Sequence, residues 1–426
     1  MTPRHSRTGW FEHDRFGMFV HFGPYSVAGR HEWVMNYEEL TVADYARYVR
    51  FFDPDLFDAR AITRTAREAG ARYVVLTTKH HDGFCLWKTG QGEYSSWATI
   101  GRDLVGEFVD AARAEGLRVG FYHSLLDWHH PDYTIDRHHP QRRAADVAAR
   151  NARRDWGRYR DYLHAQVREL LTGYGTIDYL FFDFTEPAAE NGLPGKSADD
   201  WDAERLLALC RELQPDMLVN DRLGIPADLV TPEQYQPLRP LERDGERVLW
   251  EACQTVNGSW GYHRDNLDFK SPELLVSMLV DTVSKGGNLL LNVGPTGRGE
   301  IAPRDRAIFE SIGGWMRHHC VSVYGAGPSA FTPPPHAVYT QRADRLYVHV
   351  HTWPFGHLHL PGLAGRIRFA RLLHDGSEVL FTQIPADQQA NTMTPAGPPP
   401  GTATLLMPVQ RPDVLLPVVE LVLEEP

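Results

Sequence analysis

The chain has 426 residues, 42% of them hydrophobic and 23% charged, with a formal net charge of −11. That balance leaves no basic surface to neutralise phosphates, which argues against nucleic acid and anionic membranes as partners. No apolar run approaches the roughly 20 residues that span a bilayer.

In chain order, Met1 to Arg7 is polar and meets Trp10 and Phe11 without an apolar h-region, so no signal peptide is expected. The first strand, Met18-Phe19-Val20, ends at His21. Helical Ala66 to Ala69, stopped by Gly70, leads into strand Tyr73 to Thr78, which ends at Lys79-His80-His81-Asp82. The unit repeats: Ala112 to Glu115, then Gly116, then strand Val119 to Tyr122, which runs into His123 and Asp127-Trp128-His129-His130. A helix around Tyr162 to Leu171 precedes strand Tyr179 to Phe182, closed by Asp183. A helix from Asp202 to Leu213 precedes strand Met217 to Val219, followed by Asn220-Asp221-Arg222, and a helix from Pro272 to Ser284 precedes Leu289 to Leu291. The Gly294 to Gly299 cluster follows no phosphate-loop pattern and reads as a loop.

Helices alternating with continuous apolar strands predict a parallel sheet covered on both faces. Five strands carry ionisable or polar groups at their C-terminal ends, the face that holds the active site in a (β/α)8 barrel. The predicted fold is therefore α/β, with a (β/α)8-type barrel over residues 1–330. After Pro333-Pro334-Pro335, short alternating strands at Ala337 to Thr340, Leu346 to Val350 and Val418 to Leu423 predict a small antiparallel β-sandwich over residues 336–426. Pro385 to Gly401 reads as an exposed loop.

Four scattered cysteines, Cys85, Cys210, Cys253 and Cys320, form neither a CxxC pair nor a disulfide framework. This predicts a reducing compartment, and with no signal peptide, the cytoplasm. The 21 His, 11 Trp and 17 Tyr exceed what a core requires and suit a site that stacks and hydrogen-bonds a polar ligand such as a sugar.

Several separated motifs resemble the α-L-fucosidase family of retaining glycoside hydrolases: Phe16 to Gly23, Glu32-Trp33, Thr77 to Phe84, Ser124 to His129, Phe182-Asp183-Phe184, Asn220-Asp221-Arg222 and Ser284 to Pro295. The resemblance covers about residues 9–325. It implies an exo-acting enzyme that removes terminal α-L-fucose from oligosaccharides or glycosides by double displacement, with no cofactor and a small carbohydrate as its partner. Oligomeric state stays open, a homo-oligomer included.

Carried over by motif, Asp183 is the nucleophile, and an Asp closing an apolar strand is the right object for that role because the strand holds it rigid. His21, His80, His81, Glu32, Trp33 and Arg222 match sugar-binding positions. Both His80 and His81 are counted as substrate-binding, with a buried structural role for one of them as the alternative, because adjacent strand-end residues point in opposite directions. The resemblance puts the general acid/base after the strand that ends at Arg222, which points to Glu233, with Glu251 as the alternative. Two departures stand out, His123 and Phe181, where the family often has Tyr and Trp. His123 is counted with the substrate-binding residues. Phe22, Phe184 and Trp260 are candidates to meet a 6-deoxy methyl group. Two rivals remain at this level: a metal-dependent hydrolase built from His21, His80, His81, His123 and Asp183, and a carbohydrate-binding barrel without catalysis.

Overall fold

The computed structural model describes residues 7–384 and 398–424. Eight parallel strands form the barrel: β1 (Phe16–Val20), β2 (Tyr73–Lys79), β3 (Arg118–Ser124), β4 (Tyr179–Asp183), β5 (Leu218–Val219), β6 (Leu229–Val230), β7 (Leu249–Thr255) and β8 (Asn288–Val293). They lie side by side in sequence order, with β8 paired to β1. The seam between the very short β5 and β6 is joined by a single bridge, Asn220 to Leu229.

Six long helices cover the sheet: α1 (Ala59–Ala69), α2 (Leu104–Ala114), α3 (Trp156–Gly173), α4 (Ala203–Leu213), α5 (Pro272–Ser284) and α6 (Pro303–His319). Their starts are set by local chemistry. Asp58, Asp103, Asp155 and Ser271 each accept a backbone N–H of the first turn, and Pro272 and Pro303 stand where the N–H has no partner to lose. Gly70 closes α1 at φ 93°, a conformation that only glycine adopts freely. Between β5 and β7 the described residues hold no such helix, only one 3-10 turn (Asp221–Leu223) and a small hairpin. The expected barrel is thus present with two of its crossover helices replaced by loops.

Inside the barrel, alternation decides the lining. Phe19, Tyr73, Val75, Tyr122, Tyr179, Phe181, Cys253 and Leu290 form an inner cluster, separate from the layer between sheet and helices. Gly17 faces this interior, where a Cβ would lie 2.3 Å from the Tyr73 ring, so bulk on β2 is accommodated by its absence on β1.

Beyond the barrel, Ala337–Arg342, Arg345–Val350, Val418–Leu423 and Ile367–Leu372 pair into a four-stranded antiparallel sheet. His357–Leu360, Ala403–Leu406 and Phe381–Gln383 form a second sheet of three, and one apolar cluster fills the space between the two. Four of these seven strands were not predicted. Val418, Leu416 and Tyr347 also join the barrel's outer cluster, and Trp315 of α6 donates its indole N–H to the Leu416 carbonyl at 2.7 Å. Most of the loop expected over Pro385 to Gly401 lies outside the described residues. No described helix is long and apolar enough to cross a membrane.

Candidate active site

A cavity of about 270 Å³ opens at the C-terminal mouth of the barrel. Its wall includes His21, Glu32, Trp33, His80, His81, Asp183, Arg222 and Glu233, so eight of the predicted site residues converge. They come from the ends of β1, β2, β4 and β5 and from the segments that follow β1 and β6.

Asp183 is the last residue of β4, two positions above the inward-facing Phe181, and the same alternation turns it into the mouth. Its Oδ1 accepts a hydrogen bond from Arg222 Nη1 at 2.6 Å and its Oδ2 one from the Tyr122 hydroxyl at 2.8 Å. Burial raises its carboxyl above the usual range, Arg222 pulls it back and Glu233 adds to the rise. The same Arg222 nitrogen donates to Glu233 Oε2 at 2.7 Å. Two oxygens held by one nitrogen cannot lie further apart than those two bonds laid end to end, so the two carboxyl groups are close neighbours. Arg222 is fixed from behind, Nε to Thr231 Oγ1 at 3.0 Å and Nη2 to the Thr231 carbonyl at 3.1 Å. Glu233 rides on an extension of β6 paired with β7, the Cys253 N–H bonding the Pro232 carbonyl and the Gln234 N–H the Cys253 carbonyl, both at 3.0 Å. Its side chain is 41% exposed, in contrast to Asp183 at 10%.

Burial favours the neutral form of the His21, His80 and His81 imidazoles. Asn292 donates its amide to the Trp260 carbonyl at 2.7 Å, which turns its oxygen to His21 Nδ1 at 2.6 Å. Nδ1 therefore carries the proton and leaves Nε2 as an acceptor, while burial pushes the ring down to about 3. His81 repeats the device: Ser124 Oγ donates to the Leu126 carbonyl, so it accepts from His81 Nδ1 at 2.6 Å. Both His80 and His81 line the cavity, their ring centroids 4.0 Å apart. Strand alternation does not divide them, because β2 ends at Lys79 and the chain turns there. His80 Nδ1 and Glu32 Oε1 are buried without a hydrogen-bond partner among the described residues. Burial pushes the Glu32 carboxyl up to about 8, against the pull of the Gly261 N–H at 2.7 Å, which favours its neutral form. Trp33 stands edge-to-face with His81 at 5.2 Å and flanks Phe184 at 5.3 Å.

Three sequence expectations are corrected. His123 is fully buried outside the barrel, its Nδ1 3.0 Å from Thr78 Oγ1 and its ring edge-on to Trp87. The preceding residue, Tyr122, faces the cavity instead, since neighbours on a strand point to opposite sides. Glu251 is not in the mouth. It pairs in register with Asn288 near the bottom of the barrel, bonded by the hydroxyl of Tyr73, the first residue of β2. Phe22 packs outside against Phe52 and Phe57, leaving Phe184 and Trp260 as the cavity's candidates to meet a methyl group. Phe181 does reach the cavity floor, beneath the Arg222 guanidinium at 5.0 Å. Tyr122, Phe19, His31, Tyr37, Gln234 and Cys253 also line it and were not foreseen. Of these only Tyr122 and Phe19 carried a signal, as inward partners of Ser124 and His21 at a spacing of two. Among the described residues no three His, Cys, Asp or Glu side chains group as metal donors.

Two carboxyl groups bridged by a guanidinium, above a wall of neutral imidazoles and a tryptophan in a barrel mouth, define a glycoside hydrolase. The sequence model of the family described as Alpha-L-fucosidase matches residues 2–320. This chain belongs to the α-L-fucosidase family. It is 31% identical over 375 residues to tissue α-L-fucosidase of Bos taurus, covering 81% of this chain and 75% of that one. Among solved structures, α-L-fucosidase isoenzyme 1 from Paenibacillus thiaminolyticus superposes with a TM-score of 0.91 at 42% identity, each chain fully covered. An α-L-fucosidase from Bacteroides thetaiotaomicron, trapped as a covalent intermediate with 2-fluoro-fucosyl fluoride, superposes at 0.82 with 25% identity, covering 100% of this chain and 97% of that one.

Proposed function

We propose that this protein removes terminal α-L-fucose with retention of anomeric configuration, Asp183 acting as nucleophile and Glu233 as general acid and then base. The observation that supports this reading is the shared Arg222 nitrogen, which keeps one oxygen of each carboxyl group within hydrogen-bond reach of a single atom, compatible with the short separation of double displacement. Asp183 attacks the anomeric carbon while Glu233 protonates the departing oxygen. Water, activated by Glu233, then releases the sugar from Asp183. Arg222 and Tyr122 hold the attacking carboxylate, and the neutral His21 and His81 accept hydrogen bonds from sugar hydroxyls. The trapped covalent intermediate of the Bacteroides enzyme supports this order of events. Four free cysteines, three of them buried, favour the cytoplasm as its location, which cell fractionation tests.

The test is turnover of an aryl α-L-fucoside with azide added to two variants. Asp183→Ala should lose activity and regain it with azide, giving the inverted β-fucosyl azide. Glu233→Ala should be rescued with retained configuration, because azide then attacks the glycosyl-enzyme. Wild-type inactivity on fucosides, or the same azide stereochemistry in both variants, overturns the assignment.

A further inference from the structure

A second cavity, of about 370 Å³, adjoins the sugar cavity and shares Asp183, Phe184, Arg222 and Glu233 with it. Beyond those four, its wall is Thr185, Glu186, Asp221, Gly224 and Thr231. Glu233 stands on the boundary. A general acid touches the glycosidic oxygen, so the group that hangs from that oxygen lies beside Glu233. We propose that this second cavity receives the leaving group, and that Glu186 and Asp221 make it select neutral, hydroxyl-rich saccharides over anionic ones. The proposal rests on the reading of Glu233 as the acid.

The second cavity is built rather than incidental. Phe184 adopts φ 72°, which a bulky side chain reaches only under strain, and this turn follows directly on the nucleophile strand. Thr185 Oγ1 donates to the Arg222 carbonyl at 2.7 Å and accepts from the Trp201 indole at 2.9 Å. At Gly224, φ 78°, a Cβ would lie 2.4 Å from Thr185 Cγ2, so glycine keeps this wall open. Glu186 is held by the Arg137 guanidinium and by His138 Nε2 at 2.8 Å, yet stays 45% exposed. Asp221 accepts from Thr231 Oγ1 at 3.3 Å. Among the described residues that line this wall, the cation is Arg222, which is already committed to Asp183 and Glu233. Carboxylate oxygens accept hydrogen bonds, so hydroxyl donors fit, while the exposed edges of Glu186 and Asp221 disfavour a further anion even with Arg137 behind Glu186.

The experiment compares wild type, Glu186→Gln and Glu186→Lys on three substrates. These are an α-L-fucosyl galactose, the matching α-L-fucosyl galacturonate of the same linkage, and α-L-fucosyl fluoride, whose leaving atom is too small to reach the second cavity. Wild-type kcat/KM should favour the neutral disaccharide by about tenfold or more, the scale of a like-charge penalty in a half-open site. Glu186→Gln should narrow that preference, and Glu186→Lys should remove or reverse it. Losses on the neutral disaccharide should exceed those on the fluoride several-fold. Equal losses on all three substrates, or a neutral-to-anionic ratio unmoved in both variants, would overturn the proposal. The Glu233 reading fails separately, by absent azide rescue of Glu233→Ala, whatever the Glu186 variants do.

Discussion

Asp183 and Glu233 accept hydrogen bonds from the same nitrogen, Arg222 Nη1, at 2.6 and 2.7 Å. One cation thereby sets the spacing of two acids that would repel each other if both were charged, and it favours ionised Asp183 against the opposing pull of burial.

Arg222→Lys should lower kcat/KM by about a hundredfold, because one ammonium cannot bridge both carboxyls and still hold Thr231. The sign for pH follows from Asp183. Arg222 lowers its pKa, so removing the guanidinium raises it further. Loss of activity on acidification should then begin at higher pH than in wild type. A pH profile of kcat/KM whose acidic limb stays put, or moves down, would contradict this.

The Tyr122 hydroxyl bonds the other oxygen of Asp183 at 2.8 Å. Tyr122→Phe should cost about tenfold in kcat, the worth of one hydrogen bond to a charged group, with KM changing less. Steady-state kinetics on an aryl fucoside decide it; an effect confined to KM would make Tyr122 a wall and nothing more.

Glu32 should make the fold's stability depend on pH. Its carboxyl sits near 8 when folded, raised by burial, against roughly 4.3 when unfolded. The folded state therefore holds the extra proton. Its stabilisation is complete below the unfolded value and is lost as pH rises towards the folded one. Glu251 and Asp82, each pushed by burial to about 7, act in the same direction. Wild type should melt lower at about pH 8 than at about pH 5, and Glu32→Gln should flatten that difference. Equal slopes in the two proteins would remove Glu32 from the account.

Glu251→Gln should keep fucosidase activity within about threefold, since the group lies near the barrel floor and is not among the residues that line the mouth. Glu251→Ala should instead destabilise the protein by about 1–3 kcal/mol, because the buried Tyr73 hydroxyl loses its acceptor. Chemical denaturation and azide rescue together separate this structural role from an acid/base one.

The barrel, its polar strand ends and Asp183 were legible in the sequence because each is a local pattern. Apolar strands, glycine stops and a carboxylate just past Phe182 can be read without knowing what lies beside them. Facing was not. Strand neighbours alternate, so Tyr122 and His123 exchange roles according to which side meets the axis, and only the closed sheet fixes that side. The turn at Lys79 likewise put both His80 and His81 into the mouth where alternation alone would have divided them. Height was not legible either. Glu251 looks like a strand-end acid in the sequence, yet the register of β7 against β8 leaves it level with Asn288, the first residue of its strand. Glu233 reaches Arg222 only because the chain after β6 pairs with Cys253, twenty residues on. A strand's composition determines that it will be buried; which of its side chains share a cavity is decided by register and closure, which involve every strand at once.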